Sequence, residues 1–187
     1  MPNRATQVGA SAAIEPRWEY VVSLDETAVQ DANGSSATEI RLLVIGLDGQ
    51  EFALDVDDVS EVVRMVALTS VPEGPPWLCG LLNLRGRVVP VVDLRTRLGL
   101  PRRPPDLASR ILVVEADGRP MGALVDGATE VLVLPASALH EPDEVTGNAH
   151  ALAAVARNGE RLIPVLDPIR LFTGVEAAAG DPEGTGS

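Results

Sequence analysis

Nucleophilic chemistry needs a thiol or hydroxyl beside a base, and this chain holds one cysteine, Cys79, and two histidines, His140 and His150. A Cys–His pair activates the thiol when the imidazole takes its proton. Both histidines, however, fall at the ends of "HEPDEVTGNAH", a loop-like stretch with no signature tying it to Cys79. A single cysteine excludes an internal disulfide framework and a Cys-based zinc site. Among its apolar neighbours Cys79 reads as a small core residue. The run "DVDD", Asp55 to Asp58, superficially resembles a calcium loop, but Gly at the sixth position and Glu at the twelfth are missing. Capping and solvation fit those aspartates better. The chain has neither a Walker loop nor a G-x-G-x-x-G fingerprint. No catalytic residue, metal or cofactor is therefore expected, and the chain is not expected to be an enzyme.

The charged residues that stand out instead lie in "GLLNLRGRVVPVVDLRTRLG", Gly80 to Gly99. Two apolar runs flank Arg85 and Arg87, with only Gly86 between them. That is the pattern of two strands joined by a tight basic turn. Pro90 interrupts the second run; lacking an N–H, it predicts an edge strand or a bulge. Glu61, in "SEVV", is a candidate partner for Arg85, and because Arg85 follows an apolar run a partly buried pair is the expectation.

The elements that would position these residues repeat. "RLLVIGLDGQEFALDVDDVSEVVR" (41–64) aligns without gaps on "RILVVEADGRPMGALVDGATEVLV" (110–133), with nine of 24 positions identical. "RVVPVVD" (87–93) likewise matches "RLIPVLD" (161–167). One unit has been used twice. In each, an apolar strand runs into Asp-Gly, the dipeptide that supplies positive φ for a two-residue hairpin. A second strand follows, then Asp57 or Asp126, positioned to cap a short helical turn. A third strand and the proline-bearing strand come next, and short helices in "DLRTRLG" and "DPIRLF" end the units. Units of about 65 residues made of short strands close most economically as small barrels. The expected architecture is all-β with short helices: two small barrels packed on one another.

Composition agrees. Apolar residues are 45% of the chain and aromatics 3%, so the core must be Val, Leu, Ala and Ile, a choice that favours strands. The net charge is −12 and all 15 basic residues are Arg, which argues against nucleic-acid binding. The first 38 residues, and those after Phe172, lack periodic patterning and are expected to be disordered extensions. Within the first, "RWEYVVSL" (17–24) is a candidate docking segment or added edge strand. The expected division is 1–38 extension, 39–172 domain (halves of about 39–107 and 108–172) and 173–187 tail. No apolar run reaches the roughly 18 residues of a membrane span, and the first residues lack a secretory signal. A cytoplasmic protein without direct membrane insertion is expected.

The block from about Arg41 to Phe172 resembles the CheW-like domain, the adaptor domain of bacterial chemotaxis arrays. The resemblance rests on "LDGQEFALDVDDVSEVVR", "VPEGPPWLCGLLNLRGRVVPVVDLRTRLG", "ILVVEADGRPMGALVDGATEV" and "RLIPVLDPIRLF", in that order. It implies two SH3-like five-stranded barrels around a shared hydrophobic core. It also implies a role, bridging the cytoplasmic tips of chemoreceptors to the regulatory domain of a CheA-type histidine kinase. The alternative it leaves is an interaction module acting outside chemosensory arrays. By resemblance, Arg85 of the N-L-R-G turn and Glu61 bear on folding and receptor coupling. Leu82, Asn83, Leu84 and Gly86 join them as interaction or structural residues, because "GLLNL" lies where the family's receptor groove is expected.

Overall fold

The computed structural model describes residues 38–142 and 149–175. The segment 17–24 lies outside them. Eleven strands, two short α-helices and three 3-10 turns follow one another along the described chain. The first half supplies β1 (Glu39–Leu47), β2 (Gln50–Asp55), β3 (Val59–Arg64), β4 (Leu78–Leu84) and β5 (Arg87–Asp93), then α1 (Leu94–Arg97). The second supplies β6 (Arg110–Ala116), β7 (Arg119–Val125), β8 (Gly127–Pro135), β9 (Leu139–His140), β10 (Leu152–Asn158) and β11 (Arg161–Leu166), then α2 (Pro168–Phe172). The chain is all-β with short helices, as its patterning predicts.

The local signals act as expected. Asp48 and Gly49 both have positive φ, as do Asp117 and Gly118, so each Asp-Gly turns a two-residue hairpin. The short helices expected in "DLRTRLG" and "DPIRLF" form, and the carboxylates of Asp93 and Asp167, not singled out as caps in the sequence reading, cap them. The capping expected of Asp57 and Asp126 is corrected. Asp55 caps the 3-10 turn Val56–Asp58, while Asp57 pairs with Arg41 at 2.6 Å. After Asp126 the chain passes straight into β8, because its carboxylate is engaged elsewhere.

The expectation that each half closes its own barrel is also corrected. One sheet runs β8–β1–β2–β11–β10–β9 and the other β3–β6–β7–β5–β4. Each half has therefore given its first hairpin to the other half's strands, and the exchange is reciprocal. β11 receives β2, and β5 receives β7, by parallel pairing. The reason lies in the hairpins themselves. β1 buries Leu42 and Val44 on one face and Leu43 and Ile45 on the other, so it needs apolar cover on both sides. It finds one cover inside its curled sheet and the other between the sheets, where Ile45, Phe52, Leu112 and Leu166 share the largest apolar cluster. The sheet containing β1 has six strands rather than five. After the 3-10 turn at Ala136–Ala138 the chain adds two-residue β9 to β10, where among the described residues the other sheet has the Thr69–Leu81 bridge.

Pro90 and Pro164 sit in interior strands, not at edges, but both strands face an irregularity of the kind expected, a register shift in the partner between Leu78 and Gly80 and between Leu152 and Ala154. Leu81 N–H and C=O bond Thr69 rather than β5, so opposite Leu81 the N of Pro90 faces the β7 side, where pairing begins only at Val91. The missing donor falls where no ladder bond is needed. Packing also continues past the expected boundary at Phe172, since Val175 is buried in the central cluster and its N–H bonds Phe172 C=O.

Candidate interaction site

The N-L-R-G turn is built by four residues with distinct tasks. β4 and β5 pair Leu84 with Arg87, leaving Arg85-Gly86 as a two-residue loop. Both loop residues have positive φ, +51° and +86°. Gly86 tolerates that freely, whereas Arg85 adopts a conformation that ordinarily disfavours a side chain. Asn83 offsets the cost by accepting the Gly86 N–H at 2.9 Å. Leu82 is buried in the cluster inside the sheet and Leu84 packs against it, anchoring the turn from below.

Arg85 is thereby held outward, and its guanidinium reaches Glu61 at 3.2 Å. β3 and β4 are the two outer strands of this sheet, so this contact spans its opposite edges: the sheet is curled round its own apolar cluster. The expectation of a partly buried pair is corrected for Arg85, whose side chain is 81% exposed, while that of Glu61 is 31% exposed. Leucine at 82 and 84 points inward while the turn itself projects beyond the sheet. The repeat makes the same clasp differently. Glu130, matching Glu61, pairs with Arg161 on β11 at 2.8 Å, and Arg161 also binds Glu51. These carboxylates raise the Arg161 pKa through their hydrogen bonds.

A second polar cluster escaped the sequence reading. Arg95, buried in α1, donates to both carboxylate oxygens of buried Asp93 at 2.9 and 3.1 Å, and to Asp126 at 2.9 Å. Asp126 also accepts from the Asp48 N–H, and its own N–H bonds Gly46 C=O. It therefore grips the β1–β2 hairpin that the first half has given away. Arg102 and Arg103 approach Asp93 and Asp126 from the loop after α1. The signal available in the sequence was "VVDLR", an aspartate at the end of a wholly apolar run with an arginine two residues on.

The nucleophile candidates are not assembled. Cys79 lies on β4, His140 on β9 of the other sheet, and His150 in a 3-10 turn before β10. Burial, aided by the nearby Asp93 carboxylate, pushes the Cys79 thiol up to about 11, the opposite of activation. Among the described residues no set of His, Cys, Asp or Glu is placed to hold a metal ion. Burial, then the charges of Asp55, Asp167 and Asp57, raise the Asp58 pKa, although Arg41 pairs with Asp57 and Arg170 with Asp167. What the arrangement offers is a rigid display of charge on a sheet rim.

The family model for the CheW-like domain matches residues 41–176. A Bacillus subtilis relative, "Chemotaxis protein CheW", is 30% identical over 129 residues, 68% of this chain and 83% of its own. A Klebsiella aerogenes protein of the same name is 29% identical over 143 residues, 75% and 86% of the two chains. The crystal structure of the scaffolding protein TtCheW from Thermoanaerobacter tengcongensis superposes with a TM-score of 0.70 at 32% identity, covering 73% of this chain and 94% of that one.

Proposed function

This chain belongs to the CheW-like domain family, and on that premise we propose that it is a non-enzymatic adaptor coupling chemoreceptors to a CheA-type histidine kinase. The pathway is bacterial chemotaxis or a related chemosensory system. The receptor contributes its cytoplasmic tip and the kinase its regulatory domain. The observation that carries this reading is the clamped N-L-R-G turn. Asn83 and Gly86 hold Arg85 in an otherwise disfavoured conformation and present it, with Glu61, to the outside. Backbone strain persists where the surrounding structure over-determines it, and it concentrates at sites that contact something else. An exposed ion pair contributes little to stability, so its worth lies in recognition. The relatives' names, a chemotaxis protein and a scaffold, agree. The adaptor acts in the cytoplasm at receptor arrays and binds no nucleic acid. Its working part is the 39–172 domain with the few residues that pack beyond it.

The test is equilibrium binding of the full chain to a kinase regulatory-domain fragment and to a receptor-tip fragment, without metal or nucleotide. Both should bind, through separate surfaces, with micromolar affinity suited to interfaces of about 800 Å² per partner that are formed and remodelled. Complete mutual displacement of the two fragments would exclude the two-surface adaptor.

A further inference from the structure

The repeat builds the same sheet rim twice, and the two copies differ in how their arginine is satisfied. Arg161 opens β11 as Arg87 opens β5, and each is followed by an exposed apolar residue, Leu162 or Val88. Arg161 is filled from within the chain: its guanidinium donates to Glu51 at 2.9 Å and to Glu130 at 2.8 Å. Along the repeat Glu130 corresponds to Glu61, and Glu51 to Pro120. Neither position serves Arg87. Glu61 is taken by Arg85, whose own counterpart in the second half is Gly159, and Pro120 carries no carboxylate. Glu115 and Asp117, the acids of the β6–β7 hairpin beside β5, make no bond to Arg87 either. Among the described residues the exposed Arg87 guanidinium has no hydrogen bond and no ion pair.

A solvated surface arginine is ordinary. Here, however, the chain itself shows what the position holds when it is filled: a carboxylate delivered from the strand that pairs in parallel alongside. We infer that Arg87 receives a carboxylate from the receptor's cytoplasmic tip, which takes the place that Glu51 fills in the other half. Val88, 58% exposed, offers that partner an apolar contact next to the charge. The inference rests on the adaptor reading and deepens it, because Arg87 directly follows the N-L-R-G turn, whose Arg85 and Glu61 the family resemblance ties to receptor coupling. The chemistry of the hairpin selects the carboxylate. Arg85 is engaged with Glu61, and Asn83 with the Gly86 N–H, which leaves the Arg87 guanidinium uncommitted. Its planar fork of donors matches a carboxylate bidentately. A pair made at such a rim fixes register and partner choice more than it adds raw affinity.

The test titrates a receptor-tip fragment and a kinase regulatory-domain fragment, separately, against the full chain and its Arg87→Gln, Arg87→Glu and Arg161→Gln variants, at low and high salt. Arg87→Gln should weaken receptor binding about three- to tenfold and Arg87→Glu about ten- to hundredfold, with kinase binding unchanged. Salt should weaken the wild-type receptor complex more steeply than the Arg87→Gln complex. Arg161→Gln removes a guanidinium that is already satisfied and should leave receptor affinity as it is. Changing the acidic residues of the receptor fragment to Arg one at a time should reveal one that binds the Arg87→Glu chain better than the wild type. Undiminished receptor binding by Arg87→Glu, a loss at the kinase fragment instead or equally at both, or no rescuing position overturns the inference while the adaptor reading stands. So does self-association of the wild-type chain that Arg87→Glu abolishes, since a second copy then fills the site. A wild-type chain that binds neither fragment overturns the adaptor reading and the inference with it.

Discussion

At the scale of single residues the two arginine–carboxylate sites behave oppositely because one is wet and the other dry. Arg85 and Glu61 are exposed enough for solvent to screen them, so Arg85→Ala and Glu61→Ala should each change stability by no more than about 1 kcal/mol. Arg85→Gly separates backbone from charge. It loses the same ion pair but relieves a left-handed residue, and should be about 1 kcal/mol more stable than Arg85→Ala. Denaturant unfolding of the three variants checks this; an Arg85→Ala loss of several kcal/mol would mean the pair is buried after all. Arg95 is the contrast. With Asp93 it is sequestered from water, and Arg95→Ala leaves a buried carboxylate whose remaining cation, Arg102, stands 3.8 Å away. The expected loss is about 3–5 kcal/mol in the same experiment. A loss below about 1 kcal/mol would show that Arg102 replaces it.

At the scale of elements, strand pairing depends on one small residue. Gly122 on β7 lies where the parallel pairing to β5 begins, opposite Val91. A Cβ there would stand 2.9 Å from Val91 Cγ2, 3.2 Å from Ile111 Cγ2 and 3.3 Å from the Pro90 carbonyl. The exchanged hairpin can approach its host strand only because that atom is missing. Gly122→Ala should cost about 1–3 kcal/mol through overpacking, read as a lower denaturant midpoint with unchanged slope. The exposed hairpin glycine Gly118 is the control for position rather than residue type. Nothing lies within 4 Å of its Cβ position, so any loss at Gly118→Ala reports its positive φ alone.

At the scale of the whole molecule the reciprocal hairpin exchange makes the halves interdependent. Residues 38–107 alone lack the β6–β7 hairpin that joins β3 to β5, and residues 108–176 alone lack the β1–β2 hairpin that joins β8 to β11. Each half should be unfolded by itself, and an equimolar mixture should regain cooperative unfolding and β-type circular dichroism. Two halves that fold independently would contradict the exchanged pairing. The cut falls near the exposed loop before Ser109, so the mixture need not break a buried connection.

Much of this was legible in the sequence because it depends on neighbours along the chain. Asp-Gly at 48–49 and 117–118 dictates hairpins through positive φ, and the apolar runs at 42–45 and 111–114 demand strands, whereas the aspartates that cap, Asp55, Asp93 and Asp167, were not told apart from Asp57 and Asp126. The repeat itself, and the family it resembles, were legible for the same reason. The choice of which half receives which hairpin was not. Both halves carry a hairpin of the same pattern, so that pattern is satisfied by either host, and contacts such as those at Gly122, Pro90 and the Asp126 grip on Gly46 and Asp48 distinguish them. Exposure of Arg85 and burial of Arg95 were likewise decided in three dimensions. Each arginine follows an apolar run, and sequence cannot say that one rides a turn beyond the sheet while the other is enclosed where the two sheets meet.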